Sequence, residues 1–472
     1  MSPSVAVIGG GISGLAAAHR LRVQLGPSAE ITVFEQTSGL GGVLRTVEVA
    51  GRPFDVGAEA FLTRRPEVPS LVDELGLSSQ LVYPTGVPAS VRAGGRTHPL
   101  PSRTVMGIPS TVDSMRGVLS VEGLARVAAE PARALHWDLS ADISVGELVR
   151  DRFGAETVAR SVDPLLGGVY SGRADSLGVR AAVPTLAAAL DQGAPSLLAA
   201  AAAAAVPAAQ PGVPVFGALR DGYTVLVTAL AAQVSIRSSC TVTGIGPDAQ
   251  GWWVDTGEGR REHVDAVVLA VPAPAARKLL ATVAPVAAHA AGEIPLASCV
   301  VVGLAFDARQ MQLPKTSGLL VATGEALHAK AFTHSSRKWA HLVDDGTVLL
   351  RASLGRYGDT AALQVDDAEL VSRVLADLAV LHGVVAPPLD VVVQRWGGGL
   401  PQYGPGHPAR VTALTEAVAA LPGLAVAGSM LHGVGVPACV ATGRAAAERV
   451  AHHITAPARR PGMVAPWVHG TP

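Results

Sequence analysis

Gly9, Gly11 and Gly14 stand at the spacing G-x-G-x-x-G near the start of the chain. Glycine suits such positions when a chain must turn tightly, let a phosphate approach its backbone and seat a helix close to a sheet. With Gly10, Ile12 and Ser13 they make a loop whose N–H groups can face a pyrophosphate. Glu35, followed by Gln36, comes 21 residues after Gly14. A carboxylate there binds ribose hydroxyls and repels a 2′-phosphate, which favours FAD or NAD over NADP. More glycines follow at once in Gly39-Leu40-Gly41-Gly42-Val43, and then in Gly57-Ala58-Glu59-Ala60. At the far end stand Gly428-Ser429 and Gly433-Val434-Gly435-Val436-Pro437. No nucleophilic triad, paired-carboxylate motif or metal cluster accompanies these stations.

The glycines have meaning only if the right elements flank them. Val5, Ala6, Val7 and Ile8 form the short apolar run of a buried parallel strand. Leu15, Ala18, Leu21 and Leu25 follow at helical spacing, and a second strand over 31–34 delivers Glu35. Strands are also expected at 240–242, 252–254 and 263–270, the last two joined by a turn over 255–259, with a strand at 424–427 and a helix at 439–450. Val68, Leu71, Val72 and Leu75 share one helical face, and Ser144 with Glu147 fits a capping box. Residues 66–205 read as mainly helical; the alanine run at 197–205 is a helix or a connector without chemistry. Residues 295–412 read as β-rich, with strands at 300–306 and 348–354 and a helix at 368–381. The fold class is therefore α/β with an α+β portion. A discontinuous Rossmann-like dinucleotide domain (1–65, 213–290, 420–455) accompanies a helical domain (66–212) and a β-rich substrate domain (291–419). A Pro- and Gly-containing tail (456–472) completes the chain, and no internal repeats are seen.

Composition narrows the class. The chain has 472 residues and a formal net charge of -1, which argues against nucleic-acid binding. Three separated cysteines, Cys240, Cys299 and Cys439, make no metal-ligand pair and fit a reduced, cytoplasmic protein. No signal peptide is read at the N-terminus. The longest uncharged apolar run, 197–209, is broken by Pro207 and falls short of the roughly 20 residues of a membrane span. Weak attachment to a membrane surface stays open.

Beyond the glycines, the sequence resembles a known superfamily. The double-glycine stretch, with Phe54-Asp55-Val56-Gly57-Ala58, is similar to the extension that carries flavin amine oxidases along the FAD pyrophosphate. The far glycine station is similar to their C-terminal FAD motif, where backbone amides and a helix N-terminus face the flavin. The central blocks Leu165-Leu166-Gly167-Gly168-Val169-Tyr170-Ser171-Gly172, Thr333-His334-Ser335-Ser336-Arg337-Lys338-Trp339 and Leu400-Pro401-Gln402-Tyr403-Gly404-Pro405-Gly406-His407 resemble a narrower group, the bacterial coproporphyrinogen III and protoporphyrinogen IX oxidases. One departure is Gly39, where relatives often carry arginine, so that a phosphate contact is absent or falls to Arg45.

The resemblance implies FAD as cofactor, held by the residues of the glycine stations together with Val242, whose backbone would meet adenine, and Trp396. It implies a six-electron oxidation of a porphyrinogen in three flavin cycles, with O2 as acceptor and hydrogen peroxide released. Each cycle would take a hydride from a bridging carbon and a proton from a pyrrole nitrogen. Gly168 would leave room for the macrocycle beside the flavin, with Tyr403 and His407 as polar groups toward the substrate. Arg64 and Arg65, or Arg337 and Lys338, are candidates for the substrate propionates. Coproporphyrinogen III is favoured over protoporphyrinogen IX, and a ferrochelatase would be the downstream partner. An amine oxidase, a desaturase and a non-catalytic flavin-binding protein are the other readings.

Overall fold

The computed structural model describes residues 2–205, 214–257, 259–343, 346–383 and 385–456. Residues 206–209 of the apolar run, Pro207 among them, Glu258 of the expected turn and the tail from 457 onward lie outside the described residues.

Five parallel strands form the sheet that the first glycine loop needs. The strand β1 (Ser4–Ile8) is central, and the order across the sheet is Ser235–Arg237, β2 (Glu30–Phe34), β1, Ala266–Leu269 and Leu424–Val426. Parallel strands covered on both sides require continuous apolar sequence, and Val5, Ala6, Val7 and Ala266 to Leu269 are all buried. Helix α1 (Ile12–Leu25) and the last helix, Val436–Thr455, cover one face, where Ala17, Ala18, Leu21, Ala446, Ala447 and Val450 meet Val5, Val7 and Val268. The three-stranded antiparallel sheet Val242–Asp248, Gly251–Thr256 and Arg261–Val264, together with the helices Ala273–Leu280, Pro285–Gly292 and His407–Ala419, covers the other.

A seven-stranded sheet stands beside this layer. Its order is Asp390–Pro401, Leu296–Asp307, Thr347–Leu354, Ala329–Thr333, Gly318–Val321, Ser90–Ala93 and Arg96–Pro99. The hairpin 90–99 falls within the stretch read as mainly helical, and it joins the sheet by pairing Ser90–Ala93 in parallel with Gly318–Val321. Its strands are too short for a period-two pattern to stand out, since only Val91 and Ala93 mark the buried side. One face of the sheet is sealed by the helix Asp367–His382.

The intervening segment packs the helices Val145–Phe153, Asp163–Tyr170, Pro184–Asp191 and Leu197–Ala204 into one apolar core. Ser144 caps its helix, accepting from Glu147 N at 3.0 Å. The alanine run is a packed helix there, with Leu197, Ala200, Ala201 and Ala204 buried. Its first N–H groups, from Leu197 and Leu198, donate to the buried Glu130 carboxylate at 2.8 and 3.1 Å. Among the described residues no helix is long and apolar enough to cross a membrane.

Candidate cofactor and substrate site

The first glycine loop divides its work between packing and access. A Cβ on Gly9 would lie 2.4 Å from Ala270 O, and one on Gly14 would lie 2.0 Å from Gly9 O. Both glycines therefore allow close backbone approach. A Cβ on Gly11 would meet nothing within 4 Å, so the loop opens outward there. Gly11 is the N-cap of α1, with no side-chain cap and no acid in the first turn. The first N–H groups of the helix are thus left for an anion. Ile12 and Ser13 are buried as the helix begins. Glu35 stands at the end of β2, where Oε2 accepts from Gly10 N at 2.9 Å and Oε1 accepts from Thr37 N at 2.8 Å. Gln36 is exposed beside it.

The second glycine group lies directly on the first. Gly41 N donates to Gly10 O at 2.8 Å, and a Cβ on Gly42 would approach Gly11 Cα at 3.3 Å. Val43 is partly exposed, and its carbonyl accepts from Ala58 N at 3.1 Å. Residues 55–60 are then clamped from the large sheet. Arg351 donates to the carbonyls of Asp55 and Gly57 at 3.1 and 2.7 Å. Trp396 Nε1 donates to Val56 O at 2.9 Å. Glu59 accepts from Trp339 Nε1 at 2.6 Å and from Lys338 Nζ at 3.0 Å, and Ala60 is half-buried beside it. Burial alone would raise the Glu59 pKa, but Lys338, Arg351 and the Trp339 bond bring it below the usual value, so this carboxylate is charged. Asp55, by contrast, is pushed up to about 6, chiefly by burial. Val242, half-buried, opens the strand Val242–Asp248 opposite Thr256.

The far station is held by Tyr403 and His407. The Tyr403 hydroxyl donates to Ser429 O and accepts from Gly433 N at 2.9 Å. His407 Nε2 lies 3.0 Å from Leu431 O. Both side chains are buried, and burial raises the Tyr403 pKa and lowers that of His407 to about 4. The Tyr403 hydroxyl and His407 Nε2 are engaged with the backbone of that loop, which they position, whereas His407 Nδ1 is buried without a hydrogen-bond partner among the described residues. Gly428 is buried, yet a Cβ on it would meet nothing within 4 Å. Gly435 is the N-cap of the helix Val436–Thr455, again without a side-chain cap or a first-turn acid. Val434 is half-buried beside it, and Val436 is buried.

Gly168 lies on the helix Asp163–Tyr170 and is exposed, with Leu320 Cδ2 at 3.6 Å as the one near neighbour a Cβ would meet. The four expected substrate cations are not brought together. Arg64 is exposed, and Arg65 is an exposed partner of Glu67. Arg337 is exposed and donates to Leu313 O at 3.2 Å, while Lys338 is paired with Glu59. The sequence reading assigned no role to Lys330, Arg351 or Arg356, of which the structure places Arg351 on the carbonyls of Asp55 and Gly57. Its one available signal was a lysine amid the apolar strand residues Ala329, Ala331 and Phe332.

Two uncapped helix ends, an oriented carboxylate and an open glycine cradle fit a long dinucleotide such as FAD. The model of the flavin containing amine oxidoreductase family matches residues 12–451, and the chain belongs to that family. Within it, the chain is 48% identical over 447 residues to the coproporphyrinogen III oxidase of Mycobacterium tuberculosis (strain ATCC 25618 / H37Rv), covering 94% of this chain and 97% of that protein. It is 30% identical to the coproporphyrinogen III oxidase of Bacillus subtilis (strain 168), with 94% and 96% covered. Among solved structures, an Exiguobacterium sp. 255-15 protein provisionally described as a protoporphyrinogen oxidase aligns with a TM-score of 0.84 at 30% identity. That alignment covers 96% of this chain and 99% of the other.

Proposed function

We propose that the chain is an FAD-dependent oxidase of haem biosynthesis that converts coproporphyrinogen III to coproporphyrin III. The observation that carries this reading is the 48% identity, across 94% of the chain, to a protein named coproporphyrinogen III oxidase.

Bound FAD supplies the acceptor for hydrides from the bridging carbons, and dioxygen is the terminal acceptor. Overall the substrate loses six hydrogens while three O2 become three H2O2. In this reading Gly9, Gly11 and Gly14 with the α1 N-terminus hold the pyrophosphate, Glu35 the ribose, and Val242 the adenine. Residues 41–43 and 57–60 run along the cofactor, and Gly428 to Val436 face the flavin end. A pyrrole nitrogen stabilises the developing cation in the substrate, so a strong protein base is not needed. The chain contributes positioning and exclusion of water. Gly168 leaves the space the macrocycle needs, and the Arg351 and Trp396 clamps fix residues 55–57 against the sheet. The enzyme would act in the cytoplasm and pass its product to a ferrochelatase.

The likeness to the Exiguobacterium structure favours protoporphyrinogen IX as a second reading. The test gives the purified yellow protein each porphyrinogen under air and follows porphyrin fluorescence and peroxide. Rapid turnover of coproporphyrinogen III supports the first reading, a preference for protoporphyrinogen IX selects the second, and activity on neither removes both.

A further inference from the structure

The two faces of the seven-stranded sheet differ. Side chains alternate along a strand, so Phe332, Leu350, Ala352 and Leu354 point to the helix Asp367–His382 and are buried. On the opposite face Leu320, Ala331, Thr333, Arg351 and Ser353 are each only partly buried. That face meets Gly168 through Leu320, and the 55–57 loop through Arg351.

Lys330 breaks the alternation. The pairing of its strand with Thr347–Leu354 shifts register between Ala329 and Ala331, which leaves Lys330 as the extra residue. A bulge of this kind re-aims a side chain. Cys299 and Arg351, both on the open face, lie within electrostatic reach of the Lys330 ammonium, as do Arg356 and the Asp359 carboxylate. The side chain is 6% exposed, and the ammonium donates to the carbonyls of Leu354 and Gly355. Among the described residues no carboxylate lies at ion-pair distance from it. Arg356 is likewise in no ion pair among the described residues, with the Asp163 carboxylate only at longer electrostatic range; its guanidinium donates to the carbonyls of Asp163 and Val321 at 3.1 and 3.0 Å, against Gly167. Burial lowers the Lys330 pKa to about 8, which still leaves the group mostly charged at neutral pH. Two cations, one buried and one half-buried, with no ion pair to either among the described residues, make a local field that an incoming anion would relieve.

We propose that Lys330, supported by Arg356, receives a carboxylate of the substrate beside Gly167 and Gly168. The inference rests on the porphyrinogen reading for the identity of that acid, a propionate arm of the macrocycle. It replaces the exposed or engaged cations Arg64, Arg65, Arg337 and Lys338 with one that is buried and in no ion pair among the described residues.

The test uses FAD-loaded protein and two probes, coproporphyrin III and its tetramethyl ester, titrated by absorbance and fluorescence without turnover. Lys330→Met keeps the length and removes the charge, and Lys330→Gln also keeps a donor for the two carbonyls. Wild type should bind the free acid more tightly than the ester. Both variants should lose about tenfold or more in affinity for the acid, with little change for the ester. The KM for coproporphyrinogen III should rise in parallel, with kcat little changed. An unchanged Kd for the acid in either folded variant overturns the proposal, and so does an equal loss for acid and ester. A fall in O2 reactivity with intact porphyrin binding would also overturn it, by assigning Lys330 to the acceptor. Should neither variant fold, wild-type protein that binds ester and acid alike still overturns it. Because binding is read apart from catalysis, inactivity of the wild type counts against the functional reading and not against this site.

Discussion

The Tyr403 ring stacks on the His407 imidazole, with centroids 4.0 Å apart and planes inclined by 19°. Tyr403 follows the long strand Asp390–Pro401, and His407 opens the helix His407–Ala419. Their polar ends reach the loop that leads from the strand Leu424–Val426 to the helix Val436–Thr455. The stack thereby ties the large sheet to the far glycine station. Sheet and station cannot shift independently without breaking these bonds.

Tyr403→Phe keeps the stack and removes the hydroxyl. Ser429 O loses a donor and Gly433 N loses its acceptor, in a place where water has little access. Leaving such groups unsatisfied costs about 1–3 kcal/mol. Urea denaturation should show a loss of that order, and FAD should dissociate more readily on dilution. Wild-type stability together with wild-type FAD retention would refute the bracing role.

His407 makes stability depend on pH in a defined direction. Burial lowers its pKa from 6.5 to about 4, so the folded protein binds the proton less well than the unfolded chain. Its contribution is therefore complete above about 6.5 and lost as pH falls towards about 4. The full span corresponds to about 3 kcal/mol. His407→Gln should flatten the Tm profile between those values, relative to wild type. An unaltered slope would mean that another group titrates there.

Most of the five-stranded sheet was legible because its signals are local. Its edge strand Ser235–Arg237 was not read, and the strand expected at 240–242 begins only at Val242, in a separate antiparallel sheet. A continuous apolar run, a glycine loop and an acid at the end of the next strand each follow from parallel-sheet physics. The expected strands near 4–8, 31–34 and 424–427 match those of the sheet. The hairpin 90–99 was not legible, since its identity comes from pairing with residues more than two hundred positions away. The same holds for side-chain roles. Nothing local to Tyr403 reveals that Ser429 and Gly433 will absorb its hydroxyl. Nothing local to Lys338 reveals Glu59. Lys330 depends on a register shift against a distant strand, which no periodicity within its own five-residue strand can show.

Gly167 and Gly168 should respond differently to the same substitution. A Cβ on Gly168 meets only Leu320 Cδ2, at 3.6 Å, an ordinary contact. Gly168→Ala should therefore fold and keep FAD, and Gly168→Leu should keep FAD while losing turnover. A Cβ on Gly167 would come 2.7 Å from Arg356 Nη1 and must displace that guanidinium. Gly167→Ala should lower Tm, by an amount set by overpacking of about 1–3 kcal/mol. Full activity of Gly168→Leu would remove Gly168 from the substrate cavity.

Glu59→Gln tests the clamp on residues 55–60. The carboxylate accepts from both Lys338 and Trp339, and its pKa is lowered although burial opposes this. Its stabilisation is present above the ordinary value of 4.5 and is lost as pH falls through the lower folded value. The amide can still accept one bond but leaves Lys338 without a counter-charge. A loss of about 1–3 kcal/mol at neutral pH should shrink under acid, as the wild type sheds its own advantage. A constant difference across that range would show that Glu59 is not charged in the fold.

Gly443 offers the sharpest test of how the cradle is built, because it lies in neither glycine station. A Cβ there would fall 2.2 Å from Ser13 O and 3.2 Å from Ala17 N, both backbone atoms of α1. No side-chain rotation can relieve that contact, so Gly443→Ala must push the helix Val436–Thr455 away from α1. Both helices begin at glycine N-caps that face the proposed cofactor, and their separation sets the distance between the two half-sites. The substitution should destabilise by about 1–3 kcal/mol and weaken FAD binding together. Isothermal titration of apoprotein with FAD, beside thermal unfolding, measures both. Lost stability with unchanged FAD affinity would show that the two helix ends bind their parts of the cofactor independently.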